Sequence, residues 1–325
     1  MARGDTTERA ARVAIRSACS KSSRSRGRRR TLKPQAEPSP RTPMAGLAVR
    51  RAIAASVKRL LENESGAISG RGIEPVHQAR VAVRRLRSDL RTFRELVDAR
   101  WSGKLRQELR WLGGELGAVR DHDVFLSRLR AAAARSGGAG DPNVAALIAA
   151  ARKARSAARA RMVEALRSAR YARLRARLEL AARSPRLTLA ARLTASQALP
   201  PIMKRRKKRI RNAVESLPAR PAFAKLHRIR ILAKRLRYAA EAVGFVAGAR
   251  TKTVAKAAER LQDVLGELND AVFACRLLRR LRSRRELALA ANAMLALEIE
   301  AVSRARAEWE PAWQKVSAAE LPAWR

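Results

Sequence analysis

One twelve-residue segment occurs twice in this chain, and this duplication constrains the fold more than any other feature of the sequence. Val76–Arg87 and Leu226–Arg237, 150 residues apart, share the pattern His-x-x-Arg-x-x-x-(Arg/Lys)-Arg-Leu-Arg. A second pair follows in the same order, since Leu112–Asp121 resembles Leu261–Asp270 at an offset of 149 residues. Repeated order and spacing predict two related halves of about four helices each. Such halves would pack about a pseudo-two-fold axis, with equivalent helices facing a common groove.

The composition favours an all-α fold. Hydrophobic residues make up 47% of the chain, enough for a buried core, and aromatic residues only 4%. The apolar residues are mostly Ala, Leu and Val, and alternating runs of β-branched residues, typical of strands, are missing from the sequence. We therefore predict two pseudo-two-fold-related halves, each a helical bundle or a hairpin array, from half-repeats of about 44–183 and 188–315. The predicted helices are at about 44–65, 74–98, 101–136, 141–183, 188–217, 220–247, 250–283 and 285–310.

The N-terminal residues 1–43 differ from the rest, because they are rich in Ser, Arg and Pro and lack apolar periodicity. They hold twelve Lys or Arg and three Asp or Glu, so they carry +9 of the net charge of +44, and the remainder carries +35. We predict a disordered basic tail, although a transit peptide has a similar composition. Most of the charge belongs to the predicted folded part, where a polyanionic partner would relieve its self-repulsion.

The sequence offers little for metal, redox or membrane chemistry. The two cysteines, Cys19 and Cys275, form neither a disulfide framework nor a metal-ligand spacing, which indicates a reducing compartment such as the cytoplasm. No apolar segment is long enough to span a bilayer. We therefore expect no metal, no cofactor and no membrane insertion, and the oligomeric state stays open.

Each copy of the basic segment separates into two faces on a helical wheel with the histidine at 0°. In the first copy the apolar residues lie at about 140° to 240°, and Arg87, Arg80, Arg91 and Arg84 follow at about 280° to 340°. In the second copy Arg237, Arg230 and Lys234 occupy the same positions, but Glu241 replaces Arg91. We call these residues, together with His77 and His227, the two basic stripes.

A basic stripe on a helix is usually a solvated face, but a duplicated stripe beside the core face indicates a ligand. Arginines one turn apart stand about 5–6 Å from each other, so a flexible chain of phosphates can meet each of them. The two histidines are interpreted as ligand contacts, with a structural role or a phospho-acceptor role as alternatives. The likewise repeated Asp121 and Asp270 are expected to orient stripe arginines or to hold helix contacts, rather than to bind metal.

The two basic segments, each followed by a Leu-Gly-x-x-(Arg/Asn)-Asp segment, resemble the conserved-histidine α-helical domain (CHAD) family. The resemblance covers roughly residues 44–315 and implies one such domain over about 44–320, with two four-helix bundles and a basic surface or channel that binds inorganic polyphosphate. It also implies association with polyphosphate granules. The family's His and basic positions fall on His77, Arg80, Arg84, Arg85 and Arg87, and on His227, Arg230, Lys234, Arg235 and Arg237.

Two of these family positions disagree with the helical wheel, which puts Arg85 and Arg235 at about 80°, away from the stripes. The Glu-x-Glu-x-Lys metal site of the triphosphate tunnel domain, to which the family's domain is often fused, has no match here. Its nearest counterpart, Glu298-Ile299-Glu300, has Val302 where the lysine should be. We therefore predict no phosphatase chemistry.

The sequence thus predicts a non-enzymatic polyphosphate-binding protein of the cytoplasm, at polyphosphate granules. The alternative is a nucleic-acid-binding or ribosome-associated protein, because so large a positive charge binds nucleic acid non-specifically. Against it, the stripes lack interleaved aromatic residues on which bases could stack. A third reading, an enzyme with His77 or His227 as phosphate acceptor, lacks a supporting carboxylate pair or phosphate-cradling loop.

Overall fold

The computed structural model describes residues 43–70, 72–135 and 140–321. Over these ranges the chain is helical, which confirms the predicted all-α class. Two short 3-10 turns, Leu189–Arg192 and Arg285–Leu287, precede the sixth and ninth helices. The helices are α1 (Ala45–Ser69), α2 (Glu74–Thr92), α3 (Ala99–Arg135), α4 (Pro142–Arg167), α5 (Ala169–Arg183), α6 (Ala195–Glu215), α7 (Phe223–Ala247), α8 (Ala249–Leu281) and α9 (Ala288–Ala318).

The duplication is visible in the helix packing. Consecutive helices pack within each half, and across the halves α1 contacts α6, α2 contacts α7, α3 contacts α8 and α4 contacts α9. These four pairs are counterparts in the duplication, as a pseudo-two-fold axis between the halves requires. An isolated antiparallel bridge even joins Met44 to Thr194, which are counterparts at the 150-residue offset.

The predicted helix over 141–183 is wrong, because the chain turns at Ser168. That residue has an extended backbone, with ψ 152°, and its side chain accepts a hydrogen bond from the Tyr171 amide, so it ends α4 and caps α5. The first half consequently has five helices rather than four. The predicted helix at 188–217 instead begins at Ala195, where Thr194 and Gln197 form a capping box.

The core faces read from the wheel are buried. On α2 and just beyond its end, every predicted core residue is at most 1% exposed: Ala79, Ala82, Val83, Leu86, Leu90, Phe93 and Val97. On α7 the corresponding residues Ile229, Ala233, Leu236, Ala240 and Val243 are fully buried, whereas Leu232 is only partly buried. The main core is continuous across both halves, and a second cluster fills the far ends of α3, α4, α8 and α9.

Residues 1–42 of the predicted disordered tail lie outside the described residues. None of the helices in the described ranges is both long enough and apolar enough to cross a membrane.

Candidate functional site

The two basic stripes meet where α2 packs against α7. Arg84 and Lys234, which are counterparts in the duplication, lie together there, and Arg84 Nε donates a hydrogen bond of 3.1 Å to the Tyr238 hydroxyl. Lys234 is only 9% exposed. Its burial, followed by the charges of Arg84, Arg230 and Arg80, lowers the pKa of Lys234 to about 5. Four basic side chains of the two stripes therefore converge near the pseudo-two-fold axis.

The Leu-Gly segments make room for the first arginine of each stripe. Arg80 Nη1 donates to the Gly117 carbonyl at 2.5 Å and to the Asp121 carboxylate at 2.8 Å. A Cβ on Gly117 would lie 3.2 Å from that nitrogen, which is tighter than an ordinary contact. In the second half Gly266 also lies against Arg230, but a Cβ there would stand at an ordinary contact distance of 3.6 Å from Arg230 Nε. The glycine thus admits the arginine, and on Arg80 the carboxylate orients it.

The second half orders its polar residues differently. His227 Nδ1 lies 3.0 Å from the Asn269 side-chain oxygen, and the Asn269 amide donates to Asp270 at 3.1 Å. Arg230 Nε is buried and has no hydrogen-bond partner among the described residues. Burial lowers the pKa of Arg230, while the nearby Asp270 charge opposes that shift.

A cleft of about 570 Å³ lies beside this crossing, between α2, α3 and α7. Of the described residues that line it, seven are Lys or Arg and none is acidic: Arg84, Arg87, Arg91, Arg106, Arg110, Lys234 and Arg235. We call this the basic cleft. Burial and then repulsion among these neighbours lower the pKa values of Arg87, Arg106 and Arg235, the last to about 10. An anion entering the cleft would therefore meet positive charge that lacks an acidic counterpart within the cleft.

The counterpart of the basic cleft on the other side of the axis is closed by ion pairs. Glu241 and Glu259 stand there in place of Arg91 and Arg110. Arg237 binds both, with its Nε 2.7 Å from Glu241 and its Nη2 2.8 Å from Glu259. Arg85 Nη1 also reaches Glu241 at 2.7 Å. The duplicated scaffold thus pairs its arginines with acidic residues on one side, whereas the described lining of the basic cleft contains none.

The structure separates the predicted site residues into three groups. Arg84, Arg87, Arg91, Lys234 and Arg235 line the basic cleft. Arg80 and Arg230 lie at the Leu-Gly segments, whereas Arg85 and Arg237 are held by Glu241. Arg235 lines the cleft despite its wheel position, because α2 and α6 both pack against α7 and place Arg87, Arg91 and Arg209 near it.

The two histidines lie half-buried at the start of the stripes. Burial lowers the pKa of each, followed by the positive charge of Arg120 for His77; for His227 the hydrogen bond to Asn269 opposes the shift. Both imidazoles are therefore expected to be neutral at pH 7 in the free protein.

The sequence analysis missed Arg106 and Arg110 of α3, which form one wall of the basic cleft. A signal was available, because the two residues are four apart and stand one turn from each other just before the first Leu-Gly segment. Their counterparts Ala255 and Glu259 lack this charge.

Across the described ranges, no group of three or more His, Cys, Asp or Glu could hold a metal ion.

A family model described as the CHAD domain matches residues 51–279, more than two thirds of the chain. The chain belongs to the CHAD family. The matched range begins within α1 and ends within α8, so this CHAD domain includes both basic stripes, both Leu-Gly segments and every wall of the basic cleft.

Two solved structures and one curated protein are similar to this CHAD domain. The CHAD domain from the plant Ricinus communis is 28% identical with a TM-score of 0.71, over 87% of this chain and 95% of that one. PptA from Streptomyces chartreusis is 25% identical with a TM-score of 0.68, over 84% of this chain and 100% of that one. An uncharacterized protein of Mycobacterium tuberculosis (strain CDC 1551 / Oshkosh) is 30% identical over 238 residues, 69% of this chain but only 43% of that protein's length.

Proposed function

We propose that this CHAD protein binds inorganic polyphosphate in the basic cleft. The observation that carries the proposal is the convergence of seven Lys and Arg side chains from three helices on one cleft, with no acidic residue among the described residues that line it. Each bound phosphate would accept charge-assisted, in part bidentate, hydrogen bonds from arginines that are already placed by the helices. Family membership supports the same ligand, since the CHAD resemblance implies polyphosphate.

The lining of the cleft favours polyphosphate over nucleic acid. Tyr238 is the one aromatic residue among the described lining residues, and its hydroxyl is engaged by Arg84. Recognition of single-stranded nucleic acid relies on several aromatic platforms that stack successive bases. A polymer that carries charge on every unit and has no bases fits a lining of this kind better.

The proposed role is binding rather than catalysis. The buried and half-buried cations position phosphates, but the cleft offers no carboxylate among its described lining residues to activate a water molecule. We further propose that the protein acts in the cytoplasm, at polyphosphate granules, where a binding protein without turnover would hold or organise the polymer.

A competition experiment tests the proposal. Labelled long-chain polyphosphate is bound to the full-length protein and displaced by single-stranded RNA of matched total charge, at a low and a physiological salt concentration. We expect polyphosphate to win at both, affinity to fall steeply with salt, and polymer length to stay unchanged in the presence of Mg²⁺. Tighter binding of RNA would instead identify a nucleic-acid-binding protein, and shortening of the polymer would identify an enzyme.

A further inference from the structure

Helix α6 carries a dense run of positive charge that the duplication does not explain. Seven of the eight residues from Lys204 to Arg211 are Lys or Arg. The counterpart residues in α1 are 54–61, of which only Lys58 and Arg59 are basic. Because α1 and α6 occupy equivalent places in the fold, the fold itself does not require this charge. Like charges one turn apart also destabilise a helix slightly, so the run needs another reason.

The α6 charges divide between two edges of the helix. Arg206 donates to the Arg91 carbonyl of α2 at 2.7 Å, and Arg205 pairs with Glu95, just beyond the end of α2, at 2.6 Å. On a helical wheel Arg209 falls on the same edge as Arg205, one turn further on. Lys207 points the other way, since its Nζ donates to the Ala319 carbonyl beyond α9. We call Arg205 and Arg209 the cleft-side edge, and Lys204 and Arg211 the outer edge.

Arg235 links the cleft-side edge to the basic cleft. It lines the cleft, and the charges that lower its pKa, after burial, are those of Arg91, Arg209 and Arg87. Arg91 and Arg87 belong to the cleft, whereas Arg209 belongs to α6. Arg206, which is only 7% exposed, is likewise surrounded by Arg209, Arg235, Arg94 and Arg91. Positive charge therefore continues from the cleft onto α6 through Arg235, Arg206 and Arg209, and Glu95 offsets part of it at Arg205.

The size of the cleft makes this continuation relevant to a polymer. A volume of about 570 Å³ is that of a small-molecule pocket and can enclose only a short stretch of a polyphosphate chain. The rest of a long chain has to leave the cleft along its surface. The path over α6 offers exposed arginines at a spacing of about 5–6 Å, which successive phosphates can meet.

We propose that the cleft-side edge of α6 is a second polyanion subsite, continuous with the basic cleft, which engages only polyphosphate chains long enough to leave the cleft. This inference rests on the proposed binding of polyphosphate in the cleft. It assigns α6 a role in selecting long chains over short ones, through contacts that a short chain in the cleft does not make.

The test compares two polymers and two matched variants of the full-length protein. The affinities for tripolyphosphate and for long-chain polyphosphate are measured by calorimetry for the unmodified protein, for Arg205→Ala/Arg209→Ala and for Lys204→Ala/Arg211→Ala. Each variant removes two exposed charges from α6, one of which has an acidic partner, because Arg205 pairs with Glu95 and Arg211 with Glu215. The single variant Arg209→Ala keeps the ion pair between Arg205 and Glu95. It therefore shows whether affinity is lost when this contact with the fold is unchanged.

We expect the cleft-side variant to lose about tenfold or more in affinity for long-chain polyphosphate and to keep its affinity for tripolyphosphate. The outer-edge variant should change either affinity by less than about threefold, as surface charges generally do. Arg209→Ala alone should show part of the long-chain loss.

Equal losses from the two edges would overturn the subsite, because they would mean that α6 acts only as a cationic surface. An equal loss of affinity for tripolyphosphate in the cleft-side variant would overturn the subsite as well, since the cleft-side edge would then be part of the basic cleft. Unchanged long-chain affinity in the cleft-side variant would overturn the subsite alone. Absence of polyphosphate binding by the unmodified protein would overturn the proposed function together with it.

Discussion

The pKa of Lys234 is lowered further from its ordinary value than the pKa of Arg235, which also lines the basic cleft. With a pKa lowered to about 5, Lys234 is neutral at pH 7 in the free protein, whereas a bound polyanion would favour its charged form. Binding should therefore take up a proton at pH values above about 5, and affinity should fall as the pH rises through neutrality. The pKa values of His77 and His227 are also lowered in the free protein, so a bound polyanion would favour proton uptake by these two histidines as well.

Substitution of Lys234 by arginine tests this linkage. The counterpart position in the first half is already an arginine, Arg84, and a guanidinium stays charged across the accessible pH range. We expect Lys234→Arg to weaken the pH dependence of polyphosphate affinity between pH 6 and pH 9, and to reduce the proton uptake that calorimetry in buffers of different ionisation enthalpy measures. An identical pH profile in the variant would mean that Lys234 is charged before the ligand binds.

Asp89 is a second residue whose surroundings oppose its charge. It is fully buried, and burial, partly offset by Arg85 and reinforced by Glu241, raises the pKa of Asp89 to about 8. The folded state therefore holds a proton that the unfolded state has already lost above pH 3.8, so this residue lowers stability progressively as the pH rises from 3.8 to about 8.

Asparagine at position 89 keeps the shape of the protonated acid and cannot ionise. We expect Asp89→Asn to raise the free energy of unfolding at pH 7 by on the order of 4 kcal/mol and to have little effect near pH 4. Denaturant titrations at the two pH values measure both. A variant that is less stable at pH 7 would show that the carboxylate is ionised and held by Arg85.

At the scale of elements, the facing edges of α2 and α3 should dominate binding. Arg87, Arg91, Arg106 and Arg110 face each other across the cleft, and none of them has an acidic side chain beside it in the lining. We expect their replacement by alanine to lower polyphosphate affinity at least a hundredfold, because charge-assisted hydrogen bonds contribute about 1.5–3 kcal/mol each. The melting temperature should stay the same or rise slightly, since four mutually repelling charges are removed.

The matched control removes four exposed charges from α4, which does not line the cleft: Arg152, Lys153, Arg161 and Arg167. Arg155 and Arg159 of the same helix are unsuitable, because Arg155 pairs with the buried Asp123 and Arg159 donates to the Ile68 carbonyl. Similar affinity losses in the two variants would show that net charge, rather than the cleft, holds the ligand.

At the scale of the whole molecule, the duplicated scaffold carries an unequal field. One side of the pseudo-two-fold axis has the basic cleft and, next to it, the charged edge of α6, whereas Glu241 and Glu259 neutralise the opposite side. Equivalent helices thus share a fold without sharing the same charged residues. In the proposed function the polymer binds on one side, and on the other side ion pairs hold α2, α7 and α8 together.

Removal of residues 1–42 tests whether the net charge or the placement of charge matters. The remaining residues keep about +35 of the charge and the whole basic cleft. We expect the truncated protein to keep its helicity and to lose less than about threefold in polyphosphate affinity at physiological salt, where distant charges are screened. A fall to background binding would place the site in the N-terminal residues.

The sequence by itself determined the all-α fold, the duplication, and the core faces of α2 and α7. These features follow from helix propensity and from a 3.6-residue period, which act within one helix and can be read from neighbouring residues. The tertiary structure alone decided that Arg235 lines the cleft and that Arg106 and Arg110 form one of its walls. It also decided that Arg85 and Arg237 form ion pairs with Glu241. A helical wheel shows which face of a helix is polar, but not which neighbouring helix covers that face. Whether an arginine has acidic or basic neighbours depends on residues from other helices. Only the packing of the two halves brings those residues next to it.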